Sequence, residues 1–459
     1  MRLEQEKDRH QCLEKLGWAM NKLGVTVNPS DLAKITALIV QTMTGPWRYF
    51  HTPDHIFEVG GSTNAIEVLA ALFHDLVYVQ VDQSVHFNLT YYISPLVHES
   101  GEQLYIRPES DLPPDPLFDL VTAIFGFTPG QQLSPFAGQN EFLSALVCVK
   151  VLQPFLSPGL LAQIVACIEA TIPFRPEKEG LSPSERLFQR LQAANERFNL
   201  GLSEAAQIEA VQSAVRMANR DVGSFANPVS ARFLDNTWSL LPETNHNLKN
   251  PSSYTVHDFR VALQKMEKFM DFLRPDIVFQ EFRGEPNPKT YQGMLDRAGR
   301  NIEIARLYLG SKLFTMALLE ALSRRFGRNI PLSTLMGELN PLGISIEKLE
   351  DFLPDLPNRY PLDQDLEREV FELLHKGRFS SSAYDIKNSP LTTFIVKVMG
   401  FERIRALIGA AKEFFEDQRS SESFLELCDP EVVEAIVQAL ARLFDSRKAA
   451  LLSPASVCA

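Results

Sequence analysis

Long apolar runs, paired cysteines and basic blocks are all missing from this chain of 459 residues. No apolar run reaches the roughly 18 residues that span a bilayer, and the N-terminus, Met1 to His10, lacks the apolar centre of a signal peptide. The five cysteines, Cys12, Cys148, Cys167, Cys428 and Cys458, are odd in number, scattered and without a CxxC pair. That pattern excludes a zinc ribbon or a disulfide framework and points to reduced thiols. There is no block of consecutive Lys or Arg, and the net charge is -12 with a pI near 5.4. A general nucleic-acid surface or an anionic-membrane surface is therefore not expected. No alternating strand pattern of useful length appears, and no sequence repeat. The expectation is a soluble cytoplasmic protein, with oligomerisation open.

What is present is helix. Apolar residues make up 45% of the chain and charged residues 22%, ordinary globular values, and the length suits roughly two to four domains. Residues 11 to 44 read as two amphipathic helices with a turn at Asn28-Pro29-Ser30. Helical stretches are expected at 84 to 97, 118 to 127, 140 to 152, 158 to 172, 183 to 198 and from Ser203-Glu204 onward. The Pro-rich 106 to 116 reads as loop. An Asn-, Pro- and Ser-rich stretch, 226 to 254, is the candidate boundary. Beyond it further helices follow: one from Thr255 to Arg274-Pro275, one over 289 to 326, and others at 362 to 376, 389 to 400, 401 to 417 and 429 to 447. The tail 453 to 459 reads as frayed. The expected fold class is all-α, a helical bundle over 1–240 followed by a second helical region over 250–459.

Two segments stand out, Trp47-Arg48-Tyr49-Phe50-His51-Thr52-Pro53-Asp54-His55 and Phe73-His74-Asp75-Leu76-Val77-Tyr78. The His-Asp dipeptide lies inside an apolar run, Leu69 to Val79. Burying an unpaired charge is costly enough that such groups are neutralised, salt-bridged or bound to a metal. Pro53 suits the first turn of a helix from Thr52 to Val59, stopped by Gly60-Gly61. Ser62 or Thr63 would cap a second helix, Ala65 to Tyr78, so that His55 faces His74-Asp75. The helix from Ser203 carries an apolar stripe of Ile208, Val211, Ala214, Val215, Ala218, Val222 and Phe225, and Asp221 falls on it. His55, His74, Asp75 and Asp221 would form a mixed nitrogen and oxygen shell suited to one Mn, Fe, Zn, Ni or Co ion rather than Mg or Ca.

With these residues in view, the chain resembles the HD superfamily of metal-dependent phosphohydrolases, whose pattern is a His, then His-Asp, then a distant Asp. The likeness spans roughly residues 10 to 240, with Arg48 to His55 and Phe73 to Tyr78 similar to a bacterial branch and Asn219-Arg220-Asp221-Val222 in the distal position. It implies an all-helical fold and hydrolysis of a small phosphate ester, such as a nucleotide or cyclic nucleotide, at a metal that polarises a phosphoryl oxygen and activates water. It further implies that Asp75 orients that water. Arg48 and Arg175 are candidates for the substrate phosphate, because guanidinium forks match its oxygens. His51 is a candidate to orient His55 or donate to the substrate. Where the related branch carries Asn-Glu after the tyrosine, this chain has Val79-Gln80-Val81-Asp82-Gln83, and Thr171-Ile172-Pro173-Phe174 lacks a histidine often found after such a threonine. Only His86 and His98 could serve a second ion, so one metal is expected. His257-Asp258 reads as a helix cap. The alternative function is a catalytically weak or inactive HD-like regulatory or interaction protein working through its C-terminal helical half, where the serine-rich stretch after Gly377-Arg378 reads as a loop or a partner site.

Overall fold

A computed structural model of the chain describes residues 2–250, 253–326, 330–332, 347–382, 384–444 and 448–452. It is 68% helix and 4% strand, an all-α protein. Two compact units form: Met1–Ala226 with Arg274–Ala298, and Asn227–Leu273 with Gly299–Ala459. Among the described residues no helix is long and apolar enough to cross a membrane.

The first unit begins with α1 (Arg2–Lys22) and α2 (Pro29–Met43), which pack on each other. Asn28 caps α2 by accepting from the amide of Asp31, and Pro29 occupies the first helical position, where a missing N–H costs nothing. Then come α3 (Pro53–Gly60) and α4 (Ala65–His74). The cap of α4 is Asn64, which accepts from the amides of Ile66 and Glu67, rather than Ser62 or Thr63. The side chain nearest the first free amides wins that role.

After α5 (Val79–Asp82) and α6 (Phe87–Ile93) the chain forms a small antiparallel sheet, which the sequence pattern had not suggested. Its strands are β1 (Val97–Ser100), β2 (Gln103–Ile106) and β3 (Gln132–Leu133), with Val97 opposite Ile106. Four-residue strands offer too few alternations to stand out in a sequence; the turn between β1 and β2 uses Gly101 at φ +65°. The remaining helices are α7 (Pro116–Phe125), α8 (Gln139–Leu152), α9 (Pro158–Ala170), α10 (Pro183–Phe198) and α11 (Glu204–Asp221). Asp115, Ser157, Ser182 and Ser203 cap α7, α9, α10 and α11.

Helix α4 is central: every one of its residues is buried, and it packs on α1, α3, α8 and α9. Burying Leu69, Leu72 and Phe73 contributes about 1.5–3 kcal/mol each, so its axis is the reference for the unit. Two devices set its neighbours. A Cβ at Gly60 would lie 3.1 Å from the Ala71 Cβ and 3.3 Å from the Val68 Cα, so the glycine permits close approach of α3 to α4. Gly61, at φ +62°, then reverses the chain. The second device is Glu67, buried in α4, which accepts from Arg216 Nε at 2.9 Å and Arg220 Nη2 at 2.6 Å and so fixes α11 against α4.

The second unit is built from helices that include Ser230–Ser239, Val256–Phe272, Asp365–His375, Pro390–Phe415 and Pro430–Leu443, together with the part of Pro288–Ser323 from Gly299 onward. Thr255 and Asp258 form a capping box at the start of Val256–Phe272. Gly400, at φ 73° and ψ 162°, breaks Pro390–Phe415 in the middle. The serine-rich stretch after Gly377 is anchored from beneath. Buried Asp385 accepts from Trp238 Nε1 at 2.7 Å, Lys312 Nζ at 2.9 Å and Arg378 Nη1 at 3.2 Å. The expected end of the last helix at 447 and the tail 453–459 lie outside the described residues.

Candidate metal centre

Side chains from three helix ends come together: His55, His74 and Asp75 form one cluster, and Asp221 reaches both of its imidazoles. His55 sits in the first turn of α3, His74 is the last residue of α4, Asp75 follows it, and Asp221 is the last residue of α11. His55 Nε2 lies 3.4 Å from Asp75 Oδ2 and 3.0 Å from Asp221 Oδ1; His74 Nε2 lies 3.1 Å and 3.5 Å from the same two atoms. The Asp75 and Asp221 carboxylates thus bracket both imidazoles.

None of His55 Nε2, His74 Nε2 and Asp75 Oδ2 has a hydrogen-bond partner, although all three are buried. Their separations are short, yet none of these contacts counts as a hydrogen bond. His74 Nδ1 lies 2.8 Å from the carbonyl of Ala71, which can only accept, so Nδ1 carries the hydrogen and Nε2 turns its lone pair inward. Ligand atoms of His55, His74 and Asp75 fall within 4.8 Å of one another. Two imidazole nitrogens with carboxylate oxygens around one centre fit a first-row divalent cation, and the C-terminal ends of α4 and α11 add negative dipole there.

The electrostatics agree. Burial works against charge on His55, yet the carboxylates of Asp221 and Asp75 outweigh it and raise the imidazole to about 9. His74 is likewise raised against its burial, chiefly by Asp75. Burial works against ionising Asp75 and Asp221, but the imidazoles hold Asp75 well below the usual carboxylate range and Asp221 at about 2. Without an ion, protons on the histidines offset the two carboxylates; a cation would take their place.

Arg48 does not face this centre. Its side chain is fully buried, its Nε and Nη2 hold Asp82 at 3.1 and 2.6 Å, and its Nη groups donate to the carbonyls of Asp75 at 2.7 Å and Leu76 at 3.2 Å. The expected phosphate role for Arg48 is therefore corrected to a positioning role, because its donors are spent inside the protein. The same contacts explain why α4 ends at His74 rather than running on to Tyr78. Arg48 takes the carbonyls of 75 and 76, Ser144 Oγ accepts from the amide of Val77 at 3.0 Å, and Asn140 Oδ1 accepts from that of Val79 at 3.1 Å. Side chains from the loop before α3 and from α8 replace the helical hydrogen bonds.

His51 lies edge-on to Tyr78, with ring centroids 4.3 Å apart, and 5.7 Å from His55; its charge also helps lower Asp75. Arg175 is not a lone cation, since its Nη1 and Nη2 hold Glu169 at 2.6 and 3.2 Å. His86 caps α6, His98 stacks on Tyr105, and His257 pairs with Glu320.

No Asn-Glu follows Tyr78 directly, but an Asn-Glu pair from further along the chain packs on the turn after it. Asn140-Glu141 opens α8; Asn140 bonds to the Val79 amide and, at 2.7 Å, to Gln80 Oε1. Glu141 Oε2 is buried without a hydrogen-bond partner. Burial raises its carboxyl to about 7, with the charges of Asp75 and Asp221 adding to the rise and Arg175 opposing it. Glu141 is the titratable group the sequence reading missed.

Searched against protein-family models, curated proteins and solved structures, the chain matches none.

Proposed function

We propose that the centre is a one-metal phosphohydrolase site of the HD-superfamily kind, acting on a small phosphate ester such as a nucleotide or cyclic nucleotide. The observation that carries this reading is the convergence of three buried, unpartnered ligand atoms with Asp221 on one point. His55, His74, Asp75 and Asp221 would hold the ion. When bound, a divalent cation supplies Lewis acidity toward a phosphoryl oxygen and makes water acidic enough to react near neutral pH.

The chain's own groups supply the rest. The Asp75 carboxylate, ionised and fixed by the Arg48 clamp on its backbone, accepts a hydrogen bond from the attacking water and orients it. Glu141, its carboxyl raised to about 7, exchanges its proton around neutral pH, and its protonated fraction delivers that proton to the leaving oxygen. His51, packed on Tyr78 beside Asp75, restricts the approach and orients His55.

Metal analysis tests the reading directly. Wild-type protein should carry close to one transition ion per chain and hydrolyse phosphomonoesters or cyclic nucleotides with Mn or Ni added. His74→Ala and Asp75→Ala should keep the helical circular dichroism and lose both. Glu141→Gln should keep the ion and lose about 10²-fold or more in kcat. Unchanged metal content in His74→Ala, or wild-type protein that binds no transition ion, would defeat the reading.

A further inference from the structure

Three guanidiniums crowd one buried carboxylate in the first unit. Glu169, on α9, is fully buried and accepts from Arg175 Nη1 at 2.6 Å and from Arg190 Nη2. Arg186 lies one turn before Arg190 on α10; burial makes its guanidinium easier to deprotonate, and the charges of Arg175 and Arg190 add to this while those of Glu169 and Glu179 oppose it. Its one hydrogen bond among the described residues is from Nη2 to the Pro176 carbonyl at 3.3 Å.

A structural ion cluster balances itself, and the same unit contains one. Arg216 and Arg220 meet Glu67, Glu209 and Glu285, more carboxylates than guanidiniums. Around Glu169 the ratio is reversed: three guanidiniums act with two carboxylates, Glu169 and Glu179, leaving one positive charge in excess in a chain whose net charge is -12. Part of the donor set is also unspent, although the Nη groups of Arg175 and Arg190 are engaged with Glu169 and the Phe125 carbonyl. The Nε atoms of Arg175, Arg186 and Arg190 are all buried with no hydrogen-bond partner among the described residues. Such donors are costly to leave unmade, and a planar fork matches the oxygens of a phosphoryl group.

The cluster stands beside the metal centre but apart from it. Glu141 senses the charge of Arg175 together with those of Asp75 and Asp221. No ion pair within 4.0 Å joins the three arginines to Asp75, Asp221 or Glu141 among the described residues. We infer that Arg175, Arg186 and Arg190 form a second phosphoryl-binding subsite, so that the substrate class is a compound carrying two phosphoryl groups, one at the metal centre and one on the arginines. This rests on the phosphohydrolase reading for the metal end only.

The experiment uses the full chain, first without metal, with inorganic phosphate as calorimetric probe. Wild type binds phosphate; Arg186→Gln, which leaves the Glu169 pairs in place, weakens it about tenfold or more with unchanged circular dichroism, and Arg186→Lys recovers part of the loss. With Mn added, Arg186→Gln lowers kcat/KM for a nucleoside bisphosphate about tenfold more than for the matching monophosphate. Phosphate binding by Arg186→Gln equal to wild type, or no phosphate binding by wild type, overturns the subsite. Protein that binds phosphate at the arginines but neither binds metal nor hydrolyses any ester overturns the phosphohydrolase reading and leaves the subsite standing.

Discussion

Replacing Arg48 by Met separates the two roles this arginine could have. In the structure its side chain has no solvent exposure and Asp82 only 14%. Removing one partner of a buried ion pair costs about 3–5 kcal/mol, because the other charge stays behind. The carbonyls of Asp75 and Leu76, held at 2.7 and 3.2 Å, would also lose their donors, which raises the cost toward the top of that range. A loss of about 4 kcal/mol lowers the folded-to-unfolded ratio roughly a thousandfold. Urea unfolding followed by circular dichroism reads this as a shift of the first unit's transition to lower denaturant. Because the turn at 75–76 places Asp75, metal affinity should also fall about 10- to 100-fold. Asp82→Asn, which keeps a hydrogen-bonding amide beside the guanidinium, should cost less than Arg48→Met. Arg48→Met protein with wild-type stability and metal affinity but weakened phosphate binding would refute the reasoning and return Arg48 to the substrate.

The cluster around Glu169 should show in the pH dependence of stability. Arg175 and Arg190 hold its carboxyl below the ordinary 4.5 despite burial, so its contribution is complete above about 4.5 and is lost as pH falls through the lower, folded value. The difference in urea midpoint between wild type and Glu169→Gln should be widest near neutral pH and narrow in acid; a difference constant from pH 7 to pH 3 would count against the pairing. Gly60→Ala should loosen α3 from α4, since the new methyl would meet the Ala71 Cβ at 3.1 Å, and calorimetry should show weaker metal binding as His55 shifts. An unchanged affinity would mean that the contact does not set the position of His55. Arg220, beside Asp221, bonds to the Val59 carbonyl on α3 at 2.7 Å and to Glu67 on α4. Arg220→Met should therefore cut metal affinity about 10- to 100-fold with every ligand intact, and wild-type affinity in that variant would exclude Arg220 as the tie between the three helices.

Local chemistry was legible in the sequence, and distant chemistry was not. Asn28, Ser157, Ser182 and Ser203, each before Pro or Glu, mark helix starts because a cap needs only the next three amides. Asp221 could be picked out because helical periodicity alone puts it on the buried face of α11. The end of α4 could not, since it depends on Arg48, Asn140 and Ser144, which lie 27 to 67 residues away along the chain. For the same reason Arg48 read as a free cation and Asn140-Glu141 went unconnected to Tyr78. The pattern of charges along a chain does not record which donors folding will use.

That distinction separates the arginines of the first unit by function. Arg48 and Arg220 stand nearest the cradle in sequence, yet both turn their guanidiniums toward backbone carbonyls and buried carboxylates, fixing the turn after α4 and the joint of α3, α4 and α11. They hold the two histidines and two aspartates together without offering a donor to a ligand. Arg175 and Arg190 share the Glu169 carboxylate, Arg186 donates only to the Pro176 carbonyl among the described residues, and all three keep buried Nε–H groups unused. A phosphoryl group arriving there would satisfy donors that the fold leaves open, whereas one arriving at Arg48 would have to break the pair with Asp82 first. On a count of donors spent against donors left, rather than of positive charges, the proposed phosphoryl subsite falls at the α9–α10 end and the scaffold at the end formed by α3 and α4.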